Sequence, residues 1–270
     1  TGLPTRTEQA DFNFVMHAGH GEFPRAILAP GHPAQALSLM SKAFNLADKY
    51  QTPIIVLGDQ HFNDAYFTVD ELDFGNITIG RGHILKDQDL PSPHEYKRYE
   101  PTESGISPRI LPGNTKAVLY ADSDEHTEEG HITESATVRN RMVRKRMQKL
   151  EGLRREIGSP EIYPAGETEI VLLGWGSTRG VIKEAVDKLN KNGTVAQMIH
   201  YSELFPFNPR NVVTEPLKKA KIIAVENNYT GQFADFFSRA TNLSVDQKIL
   251  KYDGRPFTAR EIVDQIEDKN

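Results

Sequence analysis

The residue types best suited to chemistry crowd the start of the chain, where Thr5, Arg6, Thr7 and Glu8 fall within the run TGLPTRTEQAD over 1–11. A Thr followed three residues later by Glu has the spacing of a capping box, in which the hydroxyl accepts one backbone N–H and the carboxylate reaches back to another. The same residues admit a second role, because N–H groups at a helix start, with a cation beside them, favour a bound carboxylate. Thr5 and Arg6 are therefore candidate substrate-binding residues, and the two roles are compatible. Farther on, His17 lies three residues before His20, and His131 shares the stretch 124–131 with Asp124, Glu125, His126, Glu128 and Glu129. Neither group has HExxH spacing or a thiolate in support, so loop hydrogen bonds and ion pairs are expected rather than a metal. The run GWGSTRG over 174–180 lacks the Lys-Ser/Thr of a phosphate loop and does not fit GxGxxG, so a tight strand-to-helix turn is expected. At 226–232, ENNYTGQ follows an apolar run, and open α/β sheets gather ligands at the C-terminal ends of their strands. Glu226 and Asn228 thus stand as candidate rim or interface residues, against plain turn and cap chemistry by Asn228 and Thr230.

The elements that must position these residues are clearest in the last hundred positions. EIVLL over 169–173 is a buried-strand run, and VIKEAVDKL over 181–189 has apolar residues at helical spacing. Strands at 195–200, 222–225 and 249–252 alternate with helices at 212–219, 231–240 and 258–267, a pattern of βαβ units and a mostly parallel sheet. The N-terminal part predicts a strand over 26–29, a helix over 33–50 with Leu37, Met40, Phe44 and Ala47 as its apolar face, and a buried strand over 53–57. So few strands leave a parallel sheet incomplete, and the completing strands are expected upstream or in another chain.

Between these parts, 81–166 is irregular apart from a helix over about 134–157. That helix carries Val143, Met147, Leu150, Leu153 and Ile157 on one stripe, and its remaining faces hold eight Arg and Lys residues. A surface helix with a solvated basic face is the expected reading, with docking of an acidic partner and, after it, nucleic-acid binding as the alternatives. The chain has no internal solenoid repeat. Its composition, 38% hydrophobic and 26% charged, is that of a globular protein, and no apolar run approaches the ~18–20 residues needed to span a bilayer. The opening residues have neither the basic start nor the apolar stretch of a signal peptide. A net charge of −5 argues against nucleic acid as a partner. Zero cysteines exclude disulfides, Cys-based zinc sites and the usual ligands of an iron–sulfur cluster, and they fit a cytoplasmic protein.

Six segments, in order along nearly the whole chain, resemble the alpha subunits of 2-oxoacid:ferredoxin oxidoreductases of the 2-oxoglutarate type. They are TGLPTRTEQAD (1–11), GHGEFPR (19–25), AFNLADKYQTPIIVLGDQ (43–60), SPRILPG (107–113), DEHTEEGHITE (124–134) and VENNYTGQ over 225–232. The resemblance implies an α/β fold in which 1–90 is the later part of a thiamine-enzyme pyrimidine-type domain. It further implies that 91–166 is an interface segment and that 167–270 is a transketolase C-terminal-like parallel α/β domain. It implies oxidative decarboxylation of a 2-oxoacid with CoA to acyl-CoA and CO2, with electrons passed to ferredoxin, and only as part of a complex. Mg2+-thiamine diphosphate and a [4Fe-4S] cluster are expected in a partner beta subunit. Enzymes of this chemistry hold the diphosphate through a GDG segment, whereas this chain has Gly58-Asp59-Gln60 and no cysteine.

The chain opens inside the family segment GPSTG, so the upstream motifs of the substrate pocket and the thiamine-activating Glu are expected on a separate or removed gamma-type portion. On this resemblance no catalytic residue and no metal ligand lies in this chain. Thr5 matches the family Thr that approaches the substrate side chain, Arg6 is its neighbour, and His20, Glu22 and Arg25 are pocket-rim candidates. The alternatives are a non-catalytic assembly subunit and an alpha-like subunit of another thiamine diphosphate enzyme.

Overall fold

The computed structural model describes residues 3–90, 92, 95–113, 115–208 and 215–268. It is a mixed α/β structure with parallel sheets. The larger sheet has the order β3-β5-β4-β7-β8, formed by Glu161–Tyr163 (β3), Ile170–Trp175 (β4), Ala196–Tyr201 (β5), Lys221–Glu226 (β7) and Gln247–Leu250 (β8). All neighbours are parallel except β3, which runs antiparallel to β5. The alternation of β4 decides its packing. Val171, Leu173 and Trp175 face one core, with Phe12, Phe233 and Phe237, while Ile170 and Leu172 face another, with Ile182, Leu189 and Ile262. The first core is covered by α1 (Phe12–His17) and α7 (Gln232–Thr241), the second by α5 (Arg179–Lys191) and α8 (Ala259–Glu267). Each strand with both faces covered reads in the sequence as a continuous apolar run, which is why the alternation over 169–267 is visible there.

The smaller sheet has the order β2-β1-β6, with β1 (Ala26–Leu28) parallel to β2 (Ile54–Val56) and antiparallel to β6 (Glu203–Phe205). Thus one completing strand comes from downstream in this same chain, a correction to the expectation that all would lie elsewhere. Three-residue strands such as β3 and β6 have no run long enough to show a period, and they exist through long-range pairing. The helix α2 (Pro33–Tyr50) joins β1 to β2 and packs with α4 (Ala136–Glu156) on the face of the small sheet away from the shared core.

Three sequence expectations change here. The buried stripe of α2 is Leu39, Ala43, Leu46 and Tyr50, whereas Met40 and Phe44 of the expected face are 41% and 70% exposed. Both stripes are apolar at helical spacing, so periodicity does not choose between them; the position of β1 and α4 does. On α4 the basic face is not simply solvated, because Lys145 is buried, as Met142 and Leu153 are. Third, Thr5 caps no helix: it has φ +49 in a turn, and the first helix starts seven residues later at Phe12. A capping residue needs an extended backbone, which the left-handed conformation at Thr5 denies. Of the helix expected at 212–219, α6 (Glu215–Lys219) is described and 212–214 lie outside the described residues.

Candidate functional site

The C-terminal ends of β1, β2, β4 and β7 converge, and residues 7–10 run across them as a strap. Gln9 fixes the strap. Its N–H donates to Asn227 O at 2.7 Å, its Oε1 accepts from Asn227 N–H at 3.0 Å, and its Nε2 donates to Trp175 O at 2.9 Å. Asn228 Nδ2 donates to Gln9 O at 3.1 Å, and Gln232 Nε2 donates to Ala10 O at 2.7 Å. Thr7 N–H donates to Gly254 O at 3.2 Å. Sequence periodicity carries no signal for Gln9 or Thr7, which are polar residues in a segment with neither helix nor strand spacing. Both lie within the 1–11 run that carries the family resemblance.

Glu226 and Asn228, each 1% exposed, form the anchor beneath the strap rather than an open rim. The Glu226 carboxylate accepts from Trp175 Nε1 at 3.2 Å, Asn228 Nδ2 at 2.8 Å, Phe233 N–H at 3.1 Å and Ala234 N–H at 2.8 Å. The last two are orphan donors at the start of α7, where a negative charge is favoured. Asn228 Oδ1 then accepts from Gly231 N–H at 2.6 Å, so the ENNYTGQ turn is cap chemistry that also ties residues 9 and 10 to the sheet edge.

On the other side of the strap, Thr7 links to the end of β2. Its hydroxyl donates to Asp59 Oδ1 at 3.1 Å and accepts from His61 N–H at 3.1 Å, while Asp59 caps α3 (Gln60–Asp64) by accepting from Phe62 N–H at 2.9 Å. A cavity of about 20 Å³, room for about one water molecule, lies under the strap among Gln9, Pro30, Asp59, Phe62, Trp175 and Ser177. A second cavity of about 90 Å³ shares Phe62 and Ser177 and reaches His61, Phe67, Asn227 and Phe257. Thr5 and Arg6 are exposed at the strap's outer end, with Arg6 packed over Gly254.

The 174–180 turn is a structural device, as its sequence suggested. Gly176 has φ +57, and a Cβ there would lie 3.1 Å from Gln9 Nε2, so glycine lets the strap lie close. Thr178 Oγ1 donates to Trp175 O at 2.8 Å, and His200 Nε2 lies 2.9 Å from Gly176 O. Burial pushes the His200 pKa down to about 4, so the ring is neutral near pH 7 and Nε2 carries the proton toward the carbonyl. Arg179 and Glu161 pair beside it through two bonds of 2.6 and 2.7 Å.

His20, Glu22 and Arg25 do not join this site. They precede β1, at the end opposite the strap: Arg25 is 6% exposed, donates from Nη1 to Val15 O at 2.8 Å and lies 4.2 Å from the Phe23 ring centre. His20 and Glu22 are exposed in the loop before it. The other histidine groups serve local structure, with His17 Nδ1 2.9 Å from Asn13 O and His126 stacked on Tyr99 at 3.9 Å. Arg146 and Arg139 hold the Glu125 carboxyl down to about 2. Among the described residues, no three His, Asp or Glu side chains are grouped to hold a metal.

Comparison with known proteins follows the same lines. Residues 1–145 match the family model described as pyruvate flavodoxin/ferredoxin oxidoreductase, thiamine diphosphate-binding. The chain is 40% identical, over 98% of its length, to the 2-oxoacid:ferredoxin oxidoreductase 1, subunit alpha, of Sulfurisphaera tokodaii, and covers 42% of that protein. It is 31% identical, over 97% of its length, to the 2-oxoglutarate oxidoreductase subunit KorA of Mycobacterium tuberculosis, covering 39% of it. The chain therefore spans about two fifths of the length of these curated relatives. A solved structure of 2-oxoglutarate:ferredoxin oxidoreductase from Magnetococcus marinus, with 2-oxoglutarate, coenzyme A and succinyl-CoA bound, superposes with a TM-score of 0.84 at 30% identity. That match covers 99% of this chain and 46% of the other. The chain belongs to the pyruvate flavodoxin/ferredoxin oxidoreductase family with the thiamine diphosphate-binding domain.

Proposed function

We propose that this chain is the alpha-subunit portion of a thiamine-dependent 2-oxoacid:ferredoxin oxidoreductase, active only in a complex. The reaction converts a 2-oxoacid and CoA to acyl-CoA and CO2 while reducing ferredoxin. The supporting observation is the strap: 7–10, within the 1–11 segment that carries the family resemblance, is locked by side chains across the strand ends of both sheets. A ligand wall built this way is set before substrate arrives, which is how a shared cavity keeps its geometry.

The residues present do not fit the Mg2+-diphosphate end of thiamine diphosphate. Asp59, the acidic residue of Gly58-Asp59-Gln60, is committed to capping α3 and to the Thr7 hydroxyl. With zero cysteines the chain also lacks the usual cluster ligands. Both groups are accordingly assigned to a beta subunit, and the thiamine-activating carboxylate to an upstream gamma-type portion. Within this chain, Thr5 and Arg6, exposed at the strap's outer end, face the 2-oxoacid, while Glu226 and Asn228 act through the strap they hold. His20, Glu22 and Arg25 are assigned to a subunit interface at the other end of β1. Residues 1–90 and 167–270 supply the bulk of the two α/β parts, with β6 crossing to the first and β3 adding an edge to the second, and 91–166 is otherwise assigned to the interface. No described helix is long and apolar enough to cross a membrane.

The test is turnover by the purified assembly that contains this chain. Reduction of ferredoxin or a viologen dye that requires both a 2-oxoacid and CoA is expected. A complex without turnover, or one that reduces NAD instead, would contradict the proposal.

A further inference from the structure

A second cluster of charges lies apart from the strap, where α4 meets the C-terminus of α2 and the loop around residue 99. Lys145 and Lys149, one helical turn apart, both point inward. Lys145 is 8% exposed and its Nζ donates to Tyr99 O at 2.9 Å, while Lys149 Nζ donates to Gln51 O at 3.0 Å. Arg98 joins them, donating from Nη2 to Gln51 Oε1 at 2.8 Å with its guanidinium 4.9 Å from the Tyr99 ring centre.

Neutral acceptors use some of these donors but leave the charge uncompensated. Among the described residues, none of the three cations is ion-paired with a carboxylate. The adjacent Arg146 is already committed to Glu125, through bonds of 2.9 and 2.7 Å, and Arg139 shares that carboxylate at 2.7 Å. Glu100 acts on Lys145 only through its field and is exposed. Desolvation and the neighbouring cations draw both lysines down to about 8. Interior charge is ordinarily matched by a counter-charge, and a group of ammonium and guanidinium donors matches an oxyanion best. The carbonyls at the end of α2 would account for Lys149, since a cation suits a helix C-terminus, but Lys145 and Arg98 bond a loop carbonyl and a side-chain amide instead.

We propose that Arg98, Lys145 and Lys149 form a binding site for a phosphate-type oxyanion. Each Nζ retains N–H groups beyond its single carbonyl bond, and Arg98 retains the remainder of its guanidinium fork, so all three side chains have donors left to offer an anion.

The probe is inorganic phosphate, followed by thermal unfolding and by 31P line broadening on the full chain at constant ionic strength set with sodium chloride. The wild-type chain is expected to gain melting temperature with phosphate and to saturate. Lys149→Met and Arg98→Met, checked for native circular dichroism, are expected to bind phosphate at least tenfold more weakly. Lys149 and Arg98 are chosen because they are less buried than Lys145, whose loss could disturb packing. A wild-type response that never saturates, or the same saturable response in both variants, would overturn the proposal.

Discussion

At the scale of single residues, His200 makes the sharpest claim about physical state. It is buried, bonded through Nε2 to Gly176 O, and its Nδ1 has no partner. A folded-state pKa of about 4, below the ordinary 6.5 of an unfolded histidine, means the unfolded chain binds the proton first. Stability from neutral His200 is therefore full above about 6.5 and is lost as pH falls through about 4, on the order of 3 kcal/mol in all. His200→Gln, which keeps a donor for Gly176 O, is expected to remove most of that acid limb in urea unfolding at pH 7, 5.5 and 4. Identical pH curves for the two proteins would exclude the assignment. Residue chemistry was only partly legible beforehand. The Thr5–Glu8 spacing is a real capping pattern, yet the backbone at Thr5 is left-handed, and the hydroxyl that bonds a helix start is that of Thr7, placed by Asp59 fifty-two positions away. Gln9 could not be singled out, because its partners Trp175 and Asn227 lie 166 and 218 positions away in the sequence.

At the scale of elements, long regular segments were legible and their orientation was not. The bounds of α2 follow from Pro33 at its first turn and the left-handed cap at Gln51, and the C-terminal strands and helices follow from apolar runs alternating with amphipathic ones. The buried face of α2 depended on which of two apolar stripes met β1 and α4. The difference has a measurable consequence. Leu46→Ala, at a position 3% exposed, is expected to cost about 2–5 kcal/mol in chemical denaturation. Phe44→Ser, at a position 70% exposed, is expected to change stability by roughly 0.5 kcal/mol or less. The reverse order would mean that α2 is rotated from the orientation described. Likewise, the many Arg and Lys residues of α4 suggested a solvated face, but charge composition does not say which side chains the adjoining loop will cover.

At the scale of the whole molecule, the small sheet and the large sheet are joined by one core, since Phe12, Ile27 and Ala29 pack with Val171, Trp175 and Phe233. That continuity brings the strand ends of the two sheets together beneath the strap, which side-chain bonds from both hold in place. The α/β class was visible from alternation alone. The way β6 returns to complete the first sheet was not, because three residues with no distinguishing pattern are placed by their partners. The whole molecule also carries the proposed division of labour, in which this chain would shape one side of a shared cavity and its partners would hold the cofactor's phosphates and the electron relay. Calorimetric titration of thiamine diphosphate with Mg2+ into the isolated chain and into the complete assembly tests it most directly. Saturable binding by the assembly and none by the chain alone is the expected result; stoichiometric binding by the chain alone would contradict the account.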